Sequence, residues 1–345
     1  MGSLWFWIVA AMITVYAMLD GFDLGAGVIY LIAAKTDEER RRVLRAVGPV
    51  WDGNEVWLLA AGGTLYFAFP RLYASSFSGF YLPLMVVLWL LILRAIGIEF
   101  RAHIQSALWQ EFFDFVFAAS SALLCLFLGV ALGNVVRGVP LDASGYFFEP
   151  LWTDFQLSAH PGILDWYTAL IGVLALVTLT AHGSHYVALK TDEDLGRRAR
   201  GIALLCWPLQ FFLVCISFVA TYFIRPNVMV NYSEHKIGLV IPVVVFASLG
   251  TMLWATPKGK EKISFLASSV HIAGLLGGAA FALYPVVLPA RDPQLDLTIA
   301  NTQAATHGLH VGLAWWSFGA VLAVAYFVFV YRMFRGKVQA GEGHY

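Results

Sequence analysis

The sequence predicts an all-α integral membrane protein with nine transmembrane helices, and three observations support this fold class. The 345-residue chain is 59% hydrophobic and only 13% charged, and its mean hydropathy of +0.72 exceeds what a soluble core can bury. Nine apolar runs are long enough to cross a bilayer, and they lie near 4–34, 47–69, 79–98, 112–133, 162–188, 202–223, 237–256, 262–288 and 310–333. Gly21, Gly25 and Gly27 interrupt the first of these runs, so a bend or tilt is expected there.

The distribution of basic residues predicts the orientation of the chain. Of the 22 Lys and Arg residues, 17 fall in one set of alternate loops and 5 in the other. The positive-inside rule places the first set in the cytoplasm of a bacterial inner membrane, so the N-terminus is expected to be periplasmic and the C-terminus cytoplasmic. Termini on opposite sides require an odd number of spans, which agrees with nine.

A faint internal repeat predicts two pseudo-symmetric halves. Lys35-Thr36-Asp37-Glu38 follows the first span, and Lys190-Thr191-Asp192-Glu193 follows the fifth, at an offset of 155 residues. Four spans separate the two motifs, so both halves would have the same orientation. We therefore predict a single membrane domain over 1–345, with a four-helix bundle at about 4–133, a second at about 162–288 and a peripheral ninth helix at about 310–333.

Acidic residues inside the first predicted span indicate a function. Asp20 and Asp23 are three residues apart, so both carboxyls fall on one helix face. Asp23 precedes Lys35 by 12 residues, which at about 1.5 Å per residue places it roughly 18 Å into the membrane. An Asp at a helix centre costs about 2.5–3.5 kcal/mol on insertion scales, so it is expected to face protein or water.

A second acidic pair opens the next predicted span. Asp52 and Glu55 are again three residues apart and lie near its cytoplasmic start. A short loop joins the two spans, so they are expected to be neighbours, and the four acids would form a ladder to mid-membrane. Buried carboxyls can exchange protons near neutral pH, which makes the ladder a candidate proton path. The alternatives are stabilisation of a helix start by Asp52 and Glu55, and purely structural bonds from Asp20 and Asp23 to donors such as Asn54.

Other polar and aromatic residues give weaker signals. Arg94, Glu99 and Arg101 lie at the cytoplasmic end of the third predicted span and are expected to form a structural charge network. Trp51 and Trp57 flank the second acidic pair, and tryptophans in such positions usually pack or anchor a helix at the membrane interface.

The sequence predicts no haem ligand and no metal site in this chain. His182 and His185 are three residues apart on one helix, so they cannot supply opposed axial ligands to one haem. That spacing favours a hydrogen-bonded or proton-carrying role, and His271 is interpreted in the same way. None of the three cysteines forms a CxxC pair.

Two motifs together resemble the N-terminal signature of subunit II of cytochrome bd-type quinol oxidases. They are Asp20-Gly21-Phe22-Asp23-Leu24-Gly25 and Trp51-Asp52-Gly53-Asn54-Glu55-Val56-Trp57-Leu58. Further similar segments are Phe69-Pro70 with Tyr73-Ala74, Phe77-Ser78-Gly79-Phe80-Tyr81, Arg94-Ala95 with Glu99-Phe100-Arg101, and Tyr284-Pro285. The resemblance covers nearly the whole chain and is densest over residues 16–101.

The resemblance implies a role in aerobic respiration. Oxidases of this family take electrons from quinol and reduce dioxygen to water. Their subunit I carries haems b and d and the quinol site, and subunit II is a haem-free partner that completes the buried oxygen-reducing centre. Family members use acids matching Asp23 and Asp52 in a proton route from the cytoplasm. The position of Trp57 lies beside an access path for oxygen, and position 55 is Glu or Gln, so the resemblance carries a proton role for Glu55 only weakly.

The expected partners and cofactors follow from the same resemblance. They are a haem-bearing subunit I as heterodimer partner, quinol and O2 as substrates of the complex, and membrane lipid, with no nucleic acid. A structural quinone, present in this subunit of some relatives, and small accessory subunits are left open. The residues by themselves also leave open a secondary transporter, which a parallel repeat and midplane acids would suit, and a non-catalytic assembly or lipid-binding scaffold.

Overall fold

Thirteen α-helices and four short strands form the part of the chain that the computed structural model describes, which is residues 1–158, 161–191 and 193–338. The helices are α1 (Gly2–Ala33), α2 (Asp37–Val47), α3 (Trp51–Ala68), α4 (Pro70–Gly79), α5 (Tyr81–Phe100), α6 (Ala107–Arg137), α7 (Trp166–Lys190), α8 (Glu193–Ile224), α9 (Val228–Glu234), α10 (Val240–Ala255), α11 (Glu261–Leu283), α12 (Ile299–Thr302) and α13 (Thr306–Met333). The strands are β1 (Trp152–Phe155), β2 (Leu164–Asp165), β3 (Val286–Leu288) and β4 (Leu297–Thr298), paired β1–β2 in parallel and β3–β4 antiparallel.

Within the described residues, eight helices are long and apolar enough to cross a membrane, namely α1, α5, α6, α7, α8, α10, α11 and α13. They coincide with eight of the nine predicted spans. The remaining predicted span, 47–69, forms α3, an 18-residue helix whose first turns hold Asp52, Asn54 and Glu55. These polar residues lower its hydropathy, so α3 is not among the eight, and the count of nine spans stays a prediction.

The glycines of the first span serve helix packing and do not interrupt the helix. α1 is continuous over 32 residues, and its backbone meets that of α7 where Gly25 faces Gly183. A Cβ at Gly25 would lie 1.8 Å from the carbonyl oxygen of Leu179, and one at Gly183 would lie 2.1 Å from the carbonyl carbon of Gly25. Only glycine on both helices permits such a close approach.

α1 lies at the centre of the helix assembly. It packs against α3, α6, α7 and α11, while α6 also packs against α5 and α7. α8 packs on α7, and α10 packs on α11. Only 6% of the most apolar stretch of α13 is buried, against 61% for α7. The α1–α7 contact therefore forms the core around which the other helices assemble.

α2 occupies much of what the sequence suggested was a basic loop. Thr36 caps its first turn by accepting a bond from the backbone of Glu39, whose carboxylate accepts from the backbone of Thr36 in return. The other carboxylate oxygen of Glu39 pairs with Arg198 of α8. The end of the molecule that holds α2 and the start of α8 is here called the basic end.

A buried carboxylate organises the basic end. Asp114 of α6 is 1% exposed and accepts bonds from the Tyr30 hydroxyl at 2.5 Å, Arg40 Nη1 at 2.8 Å and Arg101 Nε at 2.5 Å. Arg101 also pairs with Asp37 of α2 at 2.6 Å. A buried charge is tolerated when it is paired and hydrogen-bonded, and this cluster joins α1, α2, α5 and α6.

A buried cation organises the opposite end, here called the loop end, which holds the segments 138–165 and 284–305. Arg137 at the end of α6 is 2% exposed. It donates to Glu149 Oε1 at 2.6 Å, Asn134 Oδ1 at 2.7 Å and the Gly162 carbonyl at 3.1 Å, and it pairs with Asp165. Asp165 in turn caps α7. One guanidinium thus ties the long 138–165 segment to two helices.

Replacing Gly25 with alanine is expected to destabilise the protein by ~3 kcal/mol or more, at or above the upper end for overpacking, because the added carbon overlaps backbone atoms of α7. The measurement is the melting temperature and yield of the membrane-extracted protein. Gly277→Ala on α11 is the matched control, since a Cβ there meets nothing within 4 Å. Equal losses in both variants would contradict the packing role of Gly25.

Stability is expected to fall as the pH rises from about 4.5 to about 7, because burial raises the pKa of Glu149 to about 7 and Arg137 offsets the rise only in part. In that window the folded protein keeps a proton that the unfolded chain has lost, so the free energy of unfolding decreases with pH. Glu149→Gln should flatten this dependence in melting curves recorded between pH 5 and pH 8. Glu234→Gln, an exposed carboxylate, is the control, and an unchanged slope in Glu149→Gln would refute the assignment.

Candidate functional site

The predicted acidic residues meet between α1, α3 and α5. Asp20 and Asp23 of α1 are 0% and 1% exposed, and Asn54 of α3 and Arg94 of α5 are fully buried. The side chain of Glu55, also on α3, retains 22% exposure. These residues are here called the acid network. The predicted contact between the first two spans is confirmed, because α3 packs directly on α1.

Among the described residues, Arg94 is the only cation in the acid network. Its Nη1 lies 2.5 Å from Asp20 Oδ1, and its Nη2 lies 2.5 Å from Glu55 Oε2. The guanidinium also lies over the ring of Trp51, 5.8 Å from its centroid. The planar fork of arginine suits it to bridging two carboxylates from different helices.

Asn54 extends the network to α13. Its Nδ2 donates to Asp23 Oδ2 at 2.7 Å and reaches the Leu19 carbonyl at 3.4 Å. The Tyr331 hydroxyl donates to Asn54 Oδ1 at 2.9 Å. The Leu19 carbonyl can only accept, so the amide nitrogen faces Leu19 and Asp23 and the amide oxygen faces Tyr331. Asp23 thus accepts a hydrogen bond from the neutral amide of Asn54, whereas Asp20 accepts one from the charged guanidinium of Arg94.

The network holds more carboxyls than cations. Asp20, Asp23 and Glu55 contribute three carboxyls, and Arg94 contributes one positive charge. Asp20 Oδ2 and Asp23 Oδ1 are buried with no hydrogen-bond partner among the described residues. A surplus of buried negative charge is costly, so three ionised carboxyls beside a single guanidinium would be destabilising.

Exposure decreases in steps from the surface to the network. Asp52 at the start of α3 is exposed, Glu55 one turn further is partly exposed, and Asp20 and Asp23 are buried. Asp52 lies outside the hydrogen-bonded network. Three of the four predicted acids therefore lie in the network, Asp20 and Glu55 against Arg94 and Asp23 against Asn54. The fourth, Asp52, lies on the exposed surface of α3.

The predicted charge network of Arg94, Glu99 and Arg101 is divided in two. Arg94 belongs to the acid network, and Arg101 belongs to the Asp114 cluster at the basic end. The backbone carbonyl of Glu99 lies 2.9 Å from a ring nitrogen of His103, and its carboxylate is in neither cluster. Facing helices, rather than neighbours in sequence, supplied the partners of both arginines.

Sequence reasoning did not single out Tyr30, Asp114 or Tyr331 of these clusters. Asp114 is a lone acid within the apolar run 112–133, and that position was a readable signal for a buried charge. Tyr331 gave no signal, because tyrosines are common near the ends of membrane helices and its partner Asn54 is 277 residues away.

The aromatic residues of α3 pack towards α13. Trp57 lies beside Phe327, with ring centroids 5.7 Å apart, and its indole Nε1 is buried with no partner among the described residues. One turn further along α3, a cleft of about 660 Å³ opens between α1, α3 and α13. Its lining is mainly apolar and includes Trp5, Phe67 and Trp315.

The histidines lie on the far side of α1 from Arg94. His182 is fully buried, with Nδ1 2.7 Å from Ser268 Oγ and Nε2 2.9 Å from the Met18 carbonyl. Both nitrogens are therefore engaged, as expected for a hydrogen-bonded histidine. His271 contacts Ser248 at 3.2 Å through Nδ1. No group of three or more His, Cys, Asp or Glu residues in the described ranges could hold a metal ion.

Comparisons with known proteins agree on one family. Residues 1–334 match the family model described as cytochrome bd terminal oxidase subunit II. The chain is 30% identical to cytochrome bd ubiquinol oxidase subunit 2 of Bacillus subtilis, over 90% of this chain and 88% of that protein. It is 28% identical to cytochrome bd-I ubiquinol oxidase subunit 2 of Escherichia coli, over 91% and 88%, and 29% identical to a probable cytochrome oxidase subunit 2 of Haemophilus influenzae, over 98% and 95%.

A solved structure shows the same fold. A chain of the bd oxidase from Geobacillus thermodenitrificans superimposes with a TM-score of 0.76 at 16% identity, covering 96% of this chain and 98% of that one. The family model matches nearly the whole chain, including both acidic motifs. This chain therefore belongs to the cytochrome bd terminal oxidase subunit II family.

Proposed function

We propose that this chain delivers protons from the basic end of the molecule to an oxygen-reducing centre in a haem-bearing partner subunit. Its family makes it a component of a quinol:oxygen oxidoreductase complex. Reduction of dioxygen to water consumes protons, and a membrane-buried centre needs a polar route that supplies them. The surplus of buried carboxyls in the acid network is the observation that carries this proposal.

The stepwise burial of the acids suggests the order of transfer. Asp52 on the surface accepts a proton from the basic end and passes it to Glu55, one turn along α3. From there the proton reaches the buried carboxyls of Asp20 and Asp23. Arg94 neutralises part of the negative charge, so the remaining carboxyls hold protons without the cost of a fully ionised cluster.

The outward face of α3 suggests where the partner packs. Leu59 is 72% exposed, Asp52 is exposed, and a Cβ at Gly62 or Gly63 would meet nothing within 4 Å. Lipid is a poor environment for an acid, whereas small residues allow a second helix to approach closely. The haem-bearing subunit is therefore placed against α3, beside the entry to the acid network.

The haems b and d belong to that partner, where they supply the electron transfer and oxygen chemistry. In this chain, His182 does not suit haem ligation, because both of its nitrogens are hydrogen-bonded. The contribution of this chain is to hold and move protons. Trp57 and the apolar cleft beside it suit a path for oxygen, since O2 is apolar and such a lining does not retain water.

The proposed topology has nine spans, with α3 as the second. Two four-helix bundles, about 4–133 and 162–288, meet at the α1–α7 contact, and α13 is peripheral. The distribution of basic residues supports a periplasmic N-terminus, with the basic end and the C-terminus in the cytoplasm. Residues 339–345 lie outside the described ranges.

The matches reported above give the transporter alternative no support, since they are to oxidase subunits. Surrounding lipid, quinol and O2 as substrates of the complex, a structural quinone and small accessory subunits remain expectations drawn from the family.

Asp23→Asn and Asp52→Asn are expected to slow quinol-driven oxygen uptake by about 100-fold or more, since a positioned proton-transfer group contributes on the order of 10²- to 10⁴-fold. Haem absorption bands in the purified complex report assembly and should be retained. Asp194→Asn, an exposed carboxylate of α8 paired with Arg197, is the matched control. Undiminished turnover of both variants would contradict the proton path, and purification without a haem-bearing companion would contradict the oxidase role.

Arg94→Met is expected to destabilise the complex by about 3–5 kcal/mol, because Asp20 and Glu55 lose their only cation in a buried site. The yield and melting temperature of the haem-containing complex measure this loss. Arg197→Gln, whose guanidinium is 73% exposed, should change neither. The triple variant Arg94→Met, Asp20→Asn, Glu55→Gln should regain stability, because no uncompensated charge remains. A triple variant as unstable as Arg94→Met would contradict the ionic role of Arg94.

A further inference from the structure

α1 is held from two sides in the turn that precedes Asp23. Two successive carbonyls, those of Met18 and Leu19, receive side-chain bonds from different helices. Asn54 of α3 reaches the Leu19 carbonyl at 3.4 Å, and His182 of α7 reaches the Met18 carbonyl at 2.9 Å. The first bond belongs to the acid network, whereas the second comes from the opposite side of α1 and has no part in the proposed path.

The hydrogen bonds of His182 define its tautomer. A carbonyl oxygen can only accept, so Nε2 must carry a hydrogen that it donates to Met18. Nδ1 lies 2.7 Å from the Ser268 hydroxyl, whose single hydrogen is shared between Nδ1 and the Phe265 carbonyl at 2.8 Å. The imidazole thus links α7 to both α1 and α11. Its ring also lies parallel to that of Phe265, 5.0 Å between centroids.

The position of His182 is coupled to a close contact between α1 and α7. It directly precedes Gly183, which faces Gly25 across the α1–α7 contact. Phe22 of α1 stacks on Tyr186 of α7, with ring centroids 3.9 Å apart. These contacts fix both the rotation of α1 and its height relative to α7. Asp20 and Asp23 follow Met18 on α1 by two and five residues, so their carboxyl positions depend on the same contacts.

We propose that His182, held by Ser268, is a positioning residue that keeps the carboxyls of Asp20 and Asp23 at their distances from Arg94 and Asn54. This inference rests on the proposed proton path. His182 does not itself carry the proton, because its two nitrogens are engaged with a carbonyl and a hydroxyl on the side of α1 away from the acid network.

The test compares three variants of the whole complex. His182→Phe keeps an aromatic ring at this position but loses the hydrogen bond to the Met18 carbonyl of α1. In His182→Gln an amide hydrogen can replace Nε2–H. His271→Phe is the matched control, because His271 is equally buried but bonds to α10 instead of α1. Haem bands measure assembly, and quinol-driven oxygen uptake in H2O and D2O gives kcat, KM and the solvent isotope effect.

His182→Phe is expected to keep the haem bands and the KM for quinol but to lower kcat by about tenfold with a larger isotope effect, since displacing reacting groups by ~1 Å can cost up to about 100-fold. His182→Gln should restore kcat to within about threefold of the parent, and His271→Phe should match the parent. If His182→Phe does not assemble, His182→Gln decides: a near-parental kcat supports the proposal, and an assembled but slow complex overturns it. Parental turnover in His182→Phe, or an equal loss in His271→Phe, also overturns it.

Asp23→Asn measured alongside separates this inference from the proposed function. A slow Asp23→Asn variant together with a fast His182→Phe variant would refute the positioning role and leave the proton path intact. A fast Asp23→Asn variant would refute the path itself.

Discussion

The burial of Arg94 is the constraint on which this structure depends. A guanidinium without solvent contact must be neutralised, and the carboxylates of Asp20 and Glu55 do so from two other helices. The requirement brings α1, α3 and α5 to one point and sets which face of each helix turns inward. Asp23 is left beside the neutral donor Asn54. The residues that stabilise the helix assembly are therefore the same ones that give it an excess of carboxyls.

The other side of α1 is held by close contact instead of charge. Apolar side chains gain little by leaving lipid for a protein interior, so helix association in a membrane depends on tight packing and interhelical hydrogen bonds. Gly25 and Gly183 provide the packing, and the bond from His182 to the Met18 carbonyl provides the hydrogen bond. Because the salt bridge to Arg94 holds one side of α1 and the contact between Gly25 and Gly183 holds the other, α1 has little freedom to rotate. Proton transfer between carboxyls needs such fixed distances.

Several features of the chain are unsuited to a solitary protein in lipid. α3 carries an exposed acid and unpartnered glycines on its outer face, and its hydropathy is lower than that of the eight clear membrane helices. The same helix contributes Asn54 and Glu55 to the acid network. A helix between the acid network and a partner subunit would explain both the polar outer face of α3 and its contribution to the network. It can pack against protein on one face and pass protons to the network on the other.

The hydrophobic lengths, the two acidic motifs and the family were readable from the sequence alone. Eight of the predicted spans form long apolar helices. They could be predicted because the length of an apolar run that crosses a bilayer is read directly from consecutive residues. The proximity of Asp20, Asp23 and Glu55 also followed from their spacing and from the short connection between their helices. The membrane status of α3, the orientation of the chain and the roles of the acids remain predictions.

Only the tertiary structure decided which charges pair. Arg94 bonds to Asp20 and Glu55 instead of joining Glu99 and Arg101, Asp114 collects three donors, and Tyr331 reaches Asn54 from the far end of the chain. A bend or tilt was expected at the glycines of α1, and what the structure adds is that Gly21 and Gly25 allow α7 to approach. Hydropathy and periodicity describe one helix at a time. Pairing depends on which faces of distant helices meet, and that is set by packing across the whole assembly.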